Sequence, residues 1–365
     1  MRVKSLILRD FRSYERAEIH PAPGMTVFAG RNAQGKTNLL EAIHLCCTGR
    51  SHRTSRDEEL IRFGCSAAKA TVFAEQKDGT HEVSVVLLRG QKKKKNVLIG
   101  MRQAERIGEL FGHVCCVLFS PEDLSIVKGG PGERRRFLDM QLSQLRPQYF
   151  YSLQRSAHAL MQRNALLREI GERPGLADTL DMWDEQLAKA GDAVVRGRRE
   201  VTEALSRLAA EEHAKLTDGA EKLSLRLSCE AAKEENPGEI LLRRLRETRQ
   251  EDIRRGTTTT GIHRDDLLIS INGKDTRIYA SQGQQRTAVL SLKLAQTSFA
   301  EQERGEPPVL MLDDVMSELD PMRRRLLARR IDRLQTFITC TDPADLSGAP
   351  EGMLYRVEDG KVTET

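Results

Sequence analysis

Residues 30–37, GRNAQGKT, fit the pattern G-x-x-x-x-G-K-[ST], the residue set that cradles a polyphosphate. Backbone N–H groups of such a loop converge on anions, and the helix that follows adds the positive end of its dipole. Gly30, Arg31, Asn32, Ala33, Gln34, Gly35 and Asn38 would form the cradle, Lys36 would reach the β- and γ-phosphates, and Thr37 would ligate Mg²⁺. A metal so placed needs an acid from its far side. Residues 308–320, PVLMLDDVMSELD, offer one, because an apolar run there closes on Asp313 and Asp314. Asp313 would help to hold Mg²⁺, and Asp314 would orient or deprotonate an attacking water. The expected cofactors are therefore ATP and Mg²⁺, with Lys36 and Asp314 as the catalytic pair.

A third polar cluster, SQGQQR at 281–286, precedes a helix-like run. Its Ser281 hydroxyl and the exposed N–H groups of a helix start form an anion site, although the same residues would also serve as a plain polar cap. SELD at 317–320 reads locally as a turn and N-cap before Pro321.

These groups need a scaffold. MTVFAG at 25–30 is a core strand and NLLEAIHLCC at 38–47 switches to helical spacing, so the phosphate loop sits between strand and helix. ATVFAEQ and HEVSVVLLR flank Asp78-Gly79, a strong hairpin signal, and a lysine-rich tip separates them from NVLIGMR. That is an antiparallel layer. A helical pattern runs over 133–171, is broken by GERPGL, and resumes over 179–216, which predicts two long antiparallel helices. Further helix is expected up to Arg255, then a hairpin at Asn272-Gly273, a helix over 286–300, and core strands at 309–312 and in TFITCT.

Composition limits the alternatives. No apolar stretch approaches the roughly 20 residues that cross a bilayer, and charges interrupt the early apolar run, so a membrane partner and a secretory signal are not expected and the cytosol is the expected location. Seven cysteines without a C-x-x-C pair read as reduced, mostly buried thiols. The net charge of +5 permits an acidic partner. Between Arg89 and Arg106 seven basic residues face one acid, so Lys92, Lys93, Lys94 and Lys95 are candidate contacts to DNA phosphates, with Arg53 and Arg56 as further candidates. A solvated tip that resists edge pairing would look the same. Aromatics are sparse, which favours backbone-directed duplex binding with weak sequence preference over base stacking.

Taken together, SQGQQR resembles the signature of the ABC superfamily and SELD its D-loop. Within that superfamily FRSY at 11–14, GKTNLLEAI at 35–43, FSPEDL at 119–124, GGPGERRRFLD at 129–139, HRDDL at 263–267 and LDDVMSELD at 312–320 resemble, in order, the bacterial RecF family of SMC-type ATPases. The resemblance implies an α/β head with a mixed sheet, an antiparallel β layer and an inserted helical lobe. Its ATPase lobe would comprise 1–120 and 300–365, and the helical lobe with the signature 121–299. It also implies an ATP-dependent homodimer in which Ser281, Gln282, Gly283 and Gln284 contact the γ-phosphate held by the other copy. Slow ATP hydrolysis, binding to duplex and gapped DNA, cooperation with RecR and RecO in recombinase loading, and support of the SOS response are implied likewise. Three positions depart from related patterns: Ala33 replaces a common glycine, Asp314 a glutamate, and Gln282 the first signature glycine. A transporter-type cassette, or a DNA-binding module with a merely structural nucleotide, are the other readings the motifs allow.

Overall fold

A computed structural model of the chain describes residues 1–91, 93–171, 173–346 and 352–365. It divides into two compact units, Met1–Asp123 with Lys215–Asp218 and Val289–Thr365, and Leu124–Ala214 with Gly219–Ala288. The second boundary falls inside the helix Gln282–Arg304 rather than at its end, so residues 289–299 belong to the first unit.

Two six-stranded sheets build the first unit. One runs Tyr14–Ile19, Arg2–Phe11, Ala67–Gln76, Gly79–Leu88, Lys95–Ile99, Arg102–Gln103, with antiparallel neighbours throughout. Its longest pairing, Ala67–Gln76 with Gly79–Leu88, turns at the Asp78-Gly79 signal, where Gly79 takes φ 133. The other runs Lys361–Glu364, Gly352–Glu358, Met25–Ala29, Thr336–Cys340, Val309–Asp313, Cys116–Phe119. It is parallel except at its hairpin edge. Met25–Ala29, Thr336–Cys340 and Val309–Asp313 are buried along their whole length, as unbroken apolar runs in a parallel sheet require.

The helix Lys36–Thr48 shares one core with both sheets. Leu39, Leu40, Ile43 and Leu45 pack with Leu6, Leu8, Val72 and Val83 of the antiparallel sheet and with Phe28 and Phe337 of the parallel one. A helix covered all round has no solvent face to present, which explains its nearly continuous apolar sequence.

In the second unit the helices Pro131–Leu145, Pro147–Ile170 and Leu180–Leu216 lead to a three-stranded antiparallel sheet of Leu223–Ser228, Asp266–Ile271 and Lys274–Asp275. The expected single helix over 133–171 is two, because Pro147 disfavours helical backbone at Arg146, which takes φ −134. The next helical stretch is likewise two, Pro237–Glu247 and Arg249–Arg255. The Asn272-Gly273 hairpin forms with both residues at positive φ, 51 and 76.

All seven cysteines are free thiols, five of them buried. Among the described residues no helix is long and apolar enough to cross a membrane.

Candidate functional site

The phosphate loop is held from three sides within the first unit. The FRSY turn braces it: the Tyr14 hydroxyl donates to Gly35 O at 3.0 Å, and Asn38 Nδ2 donates to Ser13 Oγ at 3.1 Å. The C-terminal hairpin packs on its other flank, where a Cβ on Gly30 would lie 2.3 Å from Val357 O, and Gln34 accepts from the Asp359 N–H at 2.5 Å. Thr341 closes the set by donating to Asn32 Oδ1 at 3.3 Å. Gly35 caps the helix at φ 110, and a Cβ there would meet Ser13 Oγ at 2.6 Å, so glycine is required. Ala33 sits in left-handed backbone at φ 65. For a residue with a Cβ that costs about 1–2 kcal/mol.

Lys36 is buried, and its ammonium donates to the loop's own carbonyls, Gly30 O at 2.6 Å and Arg31 O at 3.2 Å. Thr37 Oγ1 donates to Asp313 Oδ1 at 2.8 Å, and Thr339 Oγ1 donates to the same oxygen at 2.7 Å. Burial pushes the Asp313 carboxyl above its ordinary value, while these two hydroxyls pull it back. Asp314 takes φ 52, with its N–H fixed on Thr339 Oγ1 at 2.9 Å. Left-handed backbone at an aspartate is the kind of local strain that folded surroundings must hold in place.

Behind the loop lies a carboxylate the motifs did not mark. Glu41, on the phosphate-loop helix, is fully buried; Arg12 grips it bidentately at 2.8 Å on each oxygen, and the Ser51 hydroxyl donates to it at 2.5 Å. Such a buried anion survives only when paired and hydrogen-bonded. Its partners stand 29 residues before it and 10 after, beyond any local pattern.

The result is an open cleft of about 1300 Å³ whose walls include Asn32, Ala33, Gly35, Lys36, Thr37, Asn38 and Asp314. Thr37, on its wall, and the Asp313 carboxylate that Thr37 donates to set two hard oxygen donors 2.8 Å apart. Mg²⁺ suits that pair, because it is commonly held by one or two protein oxygens, with phosphates and waters completing its shell. Among the described residues no group of three or more His, Cys, Asp or Glu could hold a metal alone.

Arg53, Arg56 and Lys94, expected as DNA contacts, line this same cleft. Arg53 donates to Asn38 Oδ1 at 3.1 Å and stands 3.8 Å from Glu41, because the segment after the helix folds back over its first turn. Lys94 pairs with Glu58 at 2.8 Å; Lys95 pairs with Asp57 at 2.8 Å and donates to Gly49 O, past the helix end, at 2.7 Å. Lys93 is exposed, and Lys92 lies outside the described residues.

The Ser281, Gln282, Gly283 and Gln284 cluster belongs to the second unit. Ser281 Oγ accepts from the Gln284 N–H at 3.2 Å, and Gln284 Oε1 accepts from the Ser281 N–H at 2.8 Å, a reciprocal cap of a helix start. Gln284 Nε2 also donates to Glu221 at 2.8 Å, which locks the cap in place.

Fold and cleft together define an ATPase head of the SMC type. The sequence profile described as RecF/RecN/SMC N terminal domain matches residues 2–363. The chain is 45% identical over 347 residues to the DNA replication and repair protein RecF of Ruminiclostridium cellulolyticum, covering 94% of this chain and 93% of that one. With the protein of the same name from Acetivibrio thermocellus it shares 41% over 369 residues, 99% of this chain and 100% of that one. A solved structure described as the recombination mediator protein RecF-ATP in the RecFOR pathway superimposes with a TM-score of 0.93 at 35% identity, covering 100% and 97% of the two chains. The Pyrococcus furiosus Smc head, at 19% identity and a TM-score of 0.58 over 100% of this chain and 96% of that one, shares the fold. The chain belongs to the RecF family of DNA replication and repair proteins.

Proposed function

We propose that this chain binds ATP in the phosphate-loop cleft, pairs with a second copy when ATP is bound, and thereby holds DNA during recombinational repair. The observation that carries the reading is that Lys36, Thr37 and Asp314 line one cleft from segments nearly 280 residues apart, with Asp313 hydrogen-bonded to Thr37. Lys36 exchanges its two loop carbonyls for β- and γ-phosphate oxygens. Thr37 and Asp313 hold Mg²⁺, which neutralises charge on the triphosphate. Asp314, presented from strained backbone at the cleft wall, positions the attacking water; one methylene shorter than the glutamate usual there, it makes hydrolysis slow.

Ser281, Gln282, Gly283 and Gln284 address the γ-phosphate held by the partner copy. Support comes from the exposed, rigid helix cap they form and from their likeness to the ABC signature. Duplex and gapped DNA is contacted through phosphates by the lysine hairpin, with Lys93 exposed and Lys94 able to trade Glu58 for a phosphate. Arg53 and Arg56 serve the nucleotide side in this reading. RecO and RecR are the partners that the pathway named for the solved relative brings with it.

Sedimentation with ATP, ADP and no nucleotide tests the switch. Association is expected with ATP alone and is lost in Lys36→Ala, whose nucleotide affinity drops about ten- to a hundredfold. A monomer that hydrolyses ATP at full rate without associating would overturn the reading. Phosphate release from Asp314→Asn is expected to fall well below wild type, and an unchanged rate would leave the nucleotide a structural ligand.

A further inference from the structure

The wall of the cleft that Lys36 and Thr37 line also carries an exposed aromatic. Phe63 is 98% exposed, yet it lines the same cleft as Lys36. Apart from it, the apolar side chains of the wall are Ala33 in the loop itself and Ile61, which is buried and bridged to Phe11. The other side chains of the wall are polar or charged, with Arg12, Arg56, Glu58 and Arg89 among them.

Phe63 does not dangle from a loose loop. On its N-terminal side Arg62 is tied to Asp10 twice, by its N–H to the carbonyl at 2.8 Å and by Nε to the carboxylate at 2.8 Å. On its C-terminal side Gly64 turns the chain at φ 83, the Cys65 N–H returns to Arg62 O at 3.0 Å, and the Cys65 thiol donates to Asp10 at 3.3 Å. A turn fastened at both ends thus displays a phenyl ring to solvent. Leaving it there forgoes the apolar burial that a phenylalanine ordinarily contributes to the fold.

We infer that Phe63 is the platform on which the base of the bound nucleotide stacks, an inference that rests on the cleft being a nucleotide site. A nucleoside triphosphate is anionic at one end and flat and weakly polar at the other. Lys36 and the loop N–H groups suit the first end, and Phe63 suits the second. Stacking on a phenyl ring tolerates any base, because every base has a π-face. Phe63 therefore separates nucleotides from bare polyphosphate but does little to separate adenine from guanine.

Calorimetric titration of ATP, GTP and inorganic tripolyphosphate into wild type, Phe63→Ala and Phe63→Trp tests the assignment. The alanine variant is expected to bind ATP and GTP each about tenfold more weakly, with tripolyphosphate affinity unchanged. The tryptophan variant keeps nucleotide affinity and gains an indole fluorescence that ATP quenches and tripolyphosphate does not, against the single native Trp183. An equal loss of all three ligands, or no loss of any, overturns the role of Phe63 while leaving the phosphate site standing. Wild type that binds neither ATP nor tripolyphosphate overturns the cleft assignment and this one with it. A variant whose nucleotide affinity is intact but whose self-association or DNA binding falls assigns Phe63 to a macromolecular contact instead, and also overturns the proposal.

Discussion

In the second unit Arg163 is fully buried between Asp184 at 2.6 Å and Asp252 at 2.7 Å, with Thr258 Oγ1 at 2.8 Å completing the set. Arg198 is treated alike, bound to Asp139 at 2.8 Å and to Asp265 at 2.9 Å. In the cleft of the first unit two cations stay in water: Arg53 is 41% exposed and Arg56 82%. Both regions are dense in charge. What separates them is whether the protein itself satisfies the charge. A buried arginine must meet carboxylates of its own chain, so that network specifies the helical unit. Solvated cations beside a phosphate loop remain available to an outside anion.

The largest effect should come from breaking the buried network. Asp252→Ala removes one of the two carboxylates that meet Arg163 and also deprives Thr259, whose N–H and hydroxyl donate to Asp252 at 2.9 and 2.6 Å. Removing one member of such a buried set costs about 3–5 kcal/mol, which urea unfolding would report. A loss as small as that from an exposed-pair mutation would erase the distinction between the two regions. Next in size is Gly35→Ala, where φ 110 and the close approach of Ser13 combine. More than about 1 kcal/mol of stability should go, and with it the rise in melting temperature on adding ATP.

Lys94→Ala removes an exposed pair with Glu58, so its melting temperature should match wild type. If Lys94 meets DNA, the slope of log affinity against log salt falls by about one ion. An unchanged slope returns Lys94 to the role of a solvated tip.

The smallest expected effect is a pH dependence. His113 stands 3.0 Å from His81, which reaches Asp78 at 3.0 Å; Arg102 and Arg304 also face it. Burial, with His81 next, lowers its pKa below the ordinary 6.5. Because the unfolded chain then takes up the proton first, the neutral form's contribution is complete above pH 6.5 and is lost as pH falls below it. His113→Gln should flatten the fall in urea midpoint between neutral and mildly acidic pH. His263 in the second unit is also lowered by burial, so His263→Gln measures the same effect there.

Local patterns made much of the site legible. GRNAQGKT carries its own function because phosphate binding uses contiguous backbone, and the acids of LDD close an apolar strand whose burial the run itself announces. Two supports were harder to see. The Asp359-Gly360 signal between alternating residues marks the hairpin Gly352–Glu358 and Lys361–Glu364, with both turn residues at positive φ, 47 and 71. LSLRLS likewise alternates and forms the strand Leu223–Ser228. Nothing in either stretch says what it packs against. Arg53 and Arg56 look like free basic residues because sequence order places them just beyond the helix, whereas the returning chain puts both on the cleft wall and Arg53 over the helix's first turn.

The amino-acid sequence alone determined the chemistry available: a phosphate cradle, a metal-binding acid, a signature-like helix cap and the RecF-family order of motifs. Tertiary structure decided which charges stay open. Whether Arg163 or Arg53 keeps its charge for a ligand depends on carboxylates tens of residues away, and whether Phe63 is buried or displayed depends on the contacts that hold its turn. Periodicity reports only a residue's neighbours along one element, so such pairings exist for the folded chain and not for any segment of it.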